Sequence, residues 1–234
     1  MQTFTITPEL ESQLIARRGK VHPFERLDAT KSAFIVVDMQ KYFMVDDEPG
    51  CTPPARDIVP NINRLAAEMR NNGGLVVWIQ TEAKPETPTD WANLYESYTP
   101  EAKAKRQANL GKGGSGFPLW PALKVEAGDK TVIKTRYSAF IQGSSNLKEV
   151  LDKHGIDTIL IGGTVTNVCC ESTARDGMML GYRTVMVADC NAATSQENHQ
   201  SSLAGFLAIF GDVQTTEQTI ANLANSRKTV RAAE

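Results

Sequence analysis

The 234-residue sequence predicts an α/β protein, a three-layer α/β/α sandwich around a central, mainly parallel six-stranded sheet. Two observations lead there. Runs such as Ala33-Phe34-Ile35-Val36-Val37 and Leu75-Val76-Val77-Trp78-Ile79 are apolar throughout, which suits strands covered on both faces. These runs alternate with stretches whose apolar residues recur at helical spacing, the pattern of parallel strands joined by crossover helices.

The elements follow in order. Residues 1–31 are polar, with one helical stretch from about Pro8 to Arg17, and read as an N-terminal arm ahead of a single domain at 32–234. The first strand, Ala33 to Val37, ends on the carboxylate of Asp38. After a turn-rich loop, Ile58, Ile62, Leu65, Ala66 and Met69 mark a helix closed by Gly73-Gly74. Leu75 to Ile79 is the second strand. Thr81 to Pro121 is irregular, rich in Pro, Gly and charge, and reads as a long loop that covers a site or meets another subunit. Thr131 to Lys134 is the third strand, Leu147 to Lys153 a helix, Thr158 to Ile161 the fourth strand and Thr184 to Asp189 the fifth. A helix from about Gln196 to Ile209, a short strand at Asp212 to Gln214 and a helix from Glu217 complete the chain.

Composition narrows the function. Apolar residues make up 41% and charged residues 22%, a globular balance. Lys+Arg 25 against Asp+Glu 27 leaves a net charge of −2, with no basic run to neutralise phosphates, so nucleic acid is not an expected partner. No run approaches the roughly 18 apolar residues of a membrane span. The N-terminus lacks the features of a signal peptide, and four cysteines without secretory signs point to a reducing cytoplasm. There is no Cys-x-x-Cys pair and there are three histidines, so a zinc site has little to build on.

Parallel sheets build their sites beyond the carboxyl ends of the strands. Here the first strand ends in Asp38, the third in Lys134, and the fourth runs through Gly162-Gly163 and a polar turn to Cys169, where a helical pattern begins. A thiol in a first helical turn sees unpaired backbone N–H groups, which favour the thiolate. Singly, Asp38 reads equally as a turn residue and Lys134 as a solvated strand-end lysine. Together they form a coherent set: a cysteine nucleophile, a lysine that stabilises its thiolate, and an aspartate that takes the thiol proton and returns it to a leaving nitrogen. His22, His154 and His199 lie in the arm, at a helix end and within a late helix, and read as structural or surface residues.

The motifs Val36-Val37-Asp38-Met39-Gln40, Lys134-Thr135-Arg136-Tyr137-Ser138-Ala139-Phe140 and Thr166-Asn167-Val168-Cys169-Cys170-Glu171-Ser172-Thr173-Ala174-Arg175-Asp176 resemble the isochorismatase-like cysteine hydrolases over roughly Ser32 to Leu223. Within that superfamily they look most like ureidoacrylate amidohydrolases and related ureido- or carbamoyl-cleaving enzymes. The resemblance implies Asp38, Lys134 and Cys169 as the catalytic triad, with Cys170 as packing. It also implies a cis peptide at Thr164–Val165 and an oxyanion hole made by the backbone N–H groups of Val165 and Cys169. Gln40, Tyr137 and Asn167, within these motifs, are candidates for substrate contact. A homo-oligomer, dimer or tetramer, is expected.

Gly111-Lys112-Gly113-Gly114-Ser115-Gly116 satisfies a dinucleotide fingerprint formally, but a charged helix-like stretch precedes it where a strand is required, so it reads as a loop without cofactor. Trp91, Tyr95 and Tyr98 are spaced for one helical face and suit packing, a subunit contact or a pocket wall. The leading expectation is a cofactor-free cysteine amidohydrolase acting on a small ureido or carbamoyl compound through a thioester. The alternatives are another linear amide, biuret- or triuret-like or an N-carbamoyl amino acid, and a non-catalytic binding subunit. Nicotinamidase-type relatives carry an Asp-x-His metal motif after the second strand, whereas Thr81-Glu82-Ala83-Lys84-Pro85-Glu86-Thr87-Pro88 holds no histidine. Prolonged EDTA treatment is therefore expected to leave ammonia release unchanged. Activity lost on chelation and restored by zinc or iron would reverse that expectation.

Overall fold

The computed structural model describes residues 1–231, so the last three residues of the expected domain lie outside the described residues. In chain order the elements are α1 (Pro8–Arg18), β1 (Ser32–Val37), α2 (Val59–Asn71), β2 (Leu75–Thr81), α3 (Thr87–Asp90), α4 (Ala92–Glu96), α5 (Pro100–Asn109), β3 (Lys130–Lys134), α6 (Leu147–Lys153), β4 (Thr158–Thr164), a π-helical turn (Thr166–Cys170), α7 (Glu171–Met179), β5 (Arg183–Ala192), α8 (Gln196–Ile209), β6 (Asp212–Gln214) and α9 (Thr216–Arg231). The six strands form one sheet in the order β3-β2-β1-β4-β5-β6, and every pairing is parallel. The expected three-layer architecture holds, with a sheet wholly rather than mainly parallel.

Alternation along β1 shows how the layers are made. Phe34 and Val36 face one core with Ile62, Leu65, Ala66 and Met69 of α2 and Leu223 of α9. Ala33, Ile35 and Val37 face the other, with Leu14 of α1, Leu151 of α6, Ala174 of α7 and Leu203 and Phe206 of α8. Each residue of β1 is buried, and after Ser32 the strand has no polar position until Asp38, where φ of 53° turns the chain out of the sheet.

The N-terminal arm lies along α8 and β6. Gln2 exchanges side-chain hydrogen bonds with the Ala193 backbone at 3.0 and 2.8 Å, His22 Nδ1 meets Asp212 Oδ1 at 2.8 Å, and Leu14 is buried. The long loop expected from Thr81 to Pro121 is a correction. It contains three short helices, two of them, α3 and α5, with a proline in the first turn, and that broken, charge-rich pattern hid them. Trp91 falls between α3 and α4, so Trp91, Tyr95 and Tyr98 do not share one continuous helix.

Strand order reverses at β1/β4, since the chain winds outward from β1 through β2 to β3 and then returns to β4 on the other side. There Val37 pairs with Gly163, whose φ is 119° and whose missing Cβ would lie 2.0 Å from the Val37 carbonyl oxygen. Only glycine permits β4 to end so close to Asp38. The register between β4 and β5 shifts at the same point, and Asn191 Nδ2 spans the irregularity by donating to Ile161 O at 2.8 Å and Val187 O at 2.7 Å. Gly163→Ala is expected to destabilise the fold by at least about 2 kcal/mol in chemical denaturation. An unchanged midpoint would show that the close approach is dispensable.

Candidate active site

Four strand ends converge at the switch point. Asp38 follows β1, Thr81 closes β2, Lys134 closes β3, and Cys169 sits in the π-helical turn after β4. Asp38, Lys134 and Cys169 are brought together, at 0, 0 and 5% exposure. Lys134 Nζ lies 2.8 Å from Asp38 Oδ2, and the Cys169 thiol is within hydrogen-bonding reach of both groups. Strand β2 runs between the two charged ends, and its Thr81 pairs in register with Lys134. Thr81 Oγ1 accepts from Lys134 Nζ at 2.6 Å and donates to Asp38 Oδ1 at 2.8 Å. Lys134 Nζ also donates to the Arg136 carbonyl at 3.0 Å. Asp38 Oδ2 is close to the ammonium but off the line of a hydrogen bond, so it has no aligned donor. That oxygen is left with accepting capacity in a carboxylate that the Cys169 thiol can reach.

Thr81 is the residue that sequence reasoning missed. In the sequence it opens the irregular segment, because the apolar run stops at Ile79, whereas β2 continues two residues further with Gln80 and Thr81 buried. Its only signal is its rank as the last strand residue, the same rank as Lys134.

The electrostatics correct one expectation. Burial pushes the Cys169 thiol up to about 12, against the opposing pull of Lys134, so the resting group is a thiol rather than the thiolate favoured by a helix start. The turn carrying it is π-helical and precedes α7 instead of forming its first turn. For Lys134, burial lowers the ammonium while Asp38 and Cys169 raise it, and the net shift is upward, so it stays charged.

The remaining candidates sit as follows. The backbone of Val165 and Cys169 brackets the turn that follows the cis peptide Thr164–Val165. Asn167 Oδ1 is buried without a partner, an acceptor open to a substrate N–H. Tyr137 stacks edge-on with Trp91 at 4.8 Å and is hydrogen-bonded to Tyr98. Gln40 is fully buried and clamps backbone: its Oε1 accepts from Thr81 N at 2.7 Å, and its Nε2 donates to Thr81 O at 3.0 Å and Phe117 O at 2.8 Å. Its amide thus holds the end of β2 in place. Cys170 is buried with its sulfur toward Gly162 O, consistent with packing. His199 Nδ1 meets Thr166 Oγ1 at 3.0 Å, and burial lowers its imidazole to about 4, so it props the cysteine turn as a neutral ring. Among the described residues no group of His, Cys, Asp and Glu is arranged to hold a metal ion.

The isochorismatase domain pattern matches residues 32–218, and the chain belongs to the isochorismatase family of hydrolases. It is 33% identical over 212 residues to a ureidoacrylate amidohydrolase of Variovorax paradoxus, covering 85% of this chain and 83% of that protein. An uncharacterised isochorismatase family protein of Bacillus subtilis is 31% identical, with coverage of 82% and 94%. Among solved structures, a cysteine hydrolase from Pseudomonas syringae superposes with a TM-score of 0.76 at 29% identity, covering 86% of this chain and 95% of that one. An N-carbamoylsarcosine amidase from Thermoplasma acidophilum gives a TM-score of 0.64 at 26% identity, covering 80% and 97%.

Alkylation reads the thiol state directly. The rate of Cys169 modification by iodoacetamide is expected to keep rising beyond pH 10, because the thiolate fraction grows toward a pKa of about 12. In Lys134→Met the profile should move to still higher pH, since the stabilising charge is gone. A plateau near pH 7 would mean that the resting group is already a thiolate.

Proposed function

We propose that the protein is a cysteine amidohydrolase that cleaves a C–N bond of a small ureido or carbamoyl compound through a thioester-type intermediate. The observation that carries this reading is the buried set of Asp38, Lys134 and Cys169, with one carboxylate oxygen left free of aligned donors. Cys169 Sγ passes its proton to Asp38 Oδ2 and attacks the carbonyl carbon, forming the S–C bond. The developing oxyanion is taken by the Val165 and Cys169 N–H groups, donors that cost no reorganisation at that moment. Protonated Asp38 then gives its proton to the leaving nitrogen, and the C–N bond breaks. Water attacks the acyl carbon, its proton returns through Asp38, and the S–C bond breaks to restore the thiol. Lys134 stays charged throughout, holding Asp38 and favouring the transient thiolate. Tyr137 and Asn167 line the approach to the thiol, and Gln40 fixes its floor.

The named relatives support amide chemistry, one acting on ureidoacrylate and one on N-carbamoylsarcosine. A buried ion pair costs desolvation that an inert binding subunit would have no reason to bear, which favours the catalytic reading over the non-catalytic one. Such an enzyme would work as a homo-oligomer in a reducing cytoplasm, where its cysteines, all free, stay reduced.

The test is ammonia release over a panel of ureides, carbamoyl amino acids and simple amides. Cys169→Ser is expected to abolish turnover with the fold retained, while Cys170→Ser costs little beyond packing. Asp38→Asn should lower kcat by about 10⁴-fold or more, because one group serves both proton transfers. A dead Cys170→Ser beside an active Cys169→Ser would move the nucleophile, and near-normal turnover in Asp38→Asn would remove the carboxylate from the mechanism.

A further inference from the structure

One buried cation is left without work by this mechanism. Arg106, on the inward face of α5, is 5% exposed, and among the described residues it belongs to none of the ion pairs. Its Nε is buried and has no hydrogen-bond partner. Arginine does not shed its charge in a protein, and a buried charge without a counter-charge is strongly unfavourable. The neighbouring acid does not supply one. Glu48 approaches Tyr42, takes Asn109 Nδ2 on its Oε1 at 2.8 Å, and makes no ion pair with Arg106.

Arg106 is held firmly beside the catalytic strand ends. The Leu110 carbonyl accepts from Ala83 N at 3.0 Å, Gln107 Nε2 donates to Lys84 O at 2.5 Å, and Leu110 N donates to Arg106 O at 3.0 Å. These bonds tie the last turn of α5 to the chain two and three residues after Thr81. Around the guanidinium stand the phenols of Tyr42, Tyr95 and Tyr98, with Tyr42 within hydrogen-bonding reach. Tyr98 is hydrogen-bonded to Tyr137, and Tyr137 lies in the field of both Cys169 and Arg106. Tyr137 is thus near both the thiol and the buried cation. Burial raises the Tyr42 phenol to about 12, so it stays a neutral hydroxyl able to donate.

We propose that Arg106 determines specificity by pairing with a carboxylate of the substrate, so that the enzyme selects ureido acids over neutral ureides. The carbamoyl carbon would sit at Cys169 Sγ, with Tyr137 alongside and the carboxylate on the guanidinium. A planar fork of N–H donors matches a carboxylate bidentately, and neighbouring hydroxyls donate to the same anion. A neutral biuret-like molecule leaves the fork unpaired. The proposal takes its reaction from the amidohydrolase reading, but the anion site stands on Arg106 alone.

The test separates the two. In Cys169→Ala protein, which cannot turn over, calorimetry compares ureidoacrylate with its neutral carboxamide. The acid is expected to bind roughly 10²-fold more tightly or better. Adding Arg106→Gln should collapse that ratio to within about threefold, and Arg106→Lys, which keeps charge without the fork, should reduce it at least about tenfold. Should Arg106→Gln fail to fold, the Arg106→Lys ratio decides. Equal affinity for acid and carboxamide, undetectable binding of the acid, or an unchanged ratio in Arg106→Lys overturns the proposal. Selective binding of the acid without ammonia release by the unmodified enzyme keeps the anion site and sinks the amidohydrolase reading. Ammonia release from neutral ureides as readily as from acids does the reverse.

Discussion

A carboxylate and an ammonium, both removed from solvent, face each other at 2.8 Å across the ends of β1 and β3. Two such charges cannot be buried cheaply, and their mutual attraction compensates only when the remaining donors and acceptors are also satisfied. The surroundings of the pair follow from that requirement. Thr81 stands between the charges and bonds to both, the Arg136 carbonyl takes a second ammonium proton, and Gln40 clamps the backbone of Thr81. Of the two Asp38 oxygens, Oδ2 is left short of an aligned donor. The polar groups around the strand ends are thus spent on holding the pair.

The same constraint explains why the sheet is built as it is. Charges at strand ends can meet only if the strands lie close and in register, and parallel pairing sets all the carboxyl ends on one edge. Gly163 removes the side chain that would separate β4 from β1, and the cysteine turn can then reach back over Asp38. On the far side, neutral His199 supports the turn through Thr166 without adding charge to a site that already holds two. Burial keeps the thiol protonated at rest beside the carboxylate.

The cover over the site is of a different kind. α3, α4 and α5 are short helices, the last of them hydrogen-bonded to the chain just after β2, and this segment brings Trp91, Tyr98 and Arg106 toward Tyr137. The core of the site is an arrangement of strand ends, whereas this cover is built from short helices and the turns between them. On the proposed reading, catalysis and selectivity reside in separate parts of the chain.

Much of this was legible in the sequence because it is written in local terms. Unbroken apolar runs alternating with helical spacing specify a doubly covered parallel sheet, and a charged residue closing such a run is drawn to the strand-end edge wherever the strand lies. Asp38, Lys134 and Cys169 could be singled out on that ground. Other features depend on distance through space, which spacing along the chain does not encode. Threonine is an ordinary strand residue, and only the neighbours on either side of β2 make Thr81 a bridge between charges. Glu101 to Arg106 reads as a solvated charged helix, and only the docking of α5 onto β2 decides that Arg106 turns inward while Lys105 stays exposed. The thiol likewise carries its helix-start pattern in sequence, but its protonation depends on how completely the fold excludes water. Residue order determined the sheet and the chemistry at its edge. Tertiary packing decided which polar groups were desolvated, and desolvation sets the charge state of the site and leaves Arg106 buried outside any ion pair among the described residues.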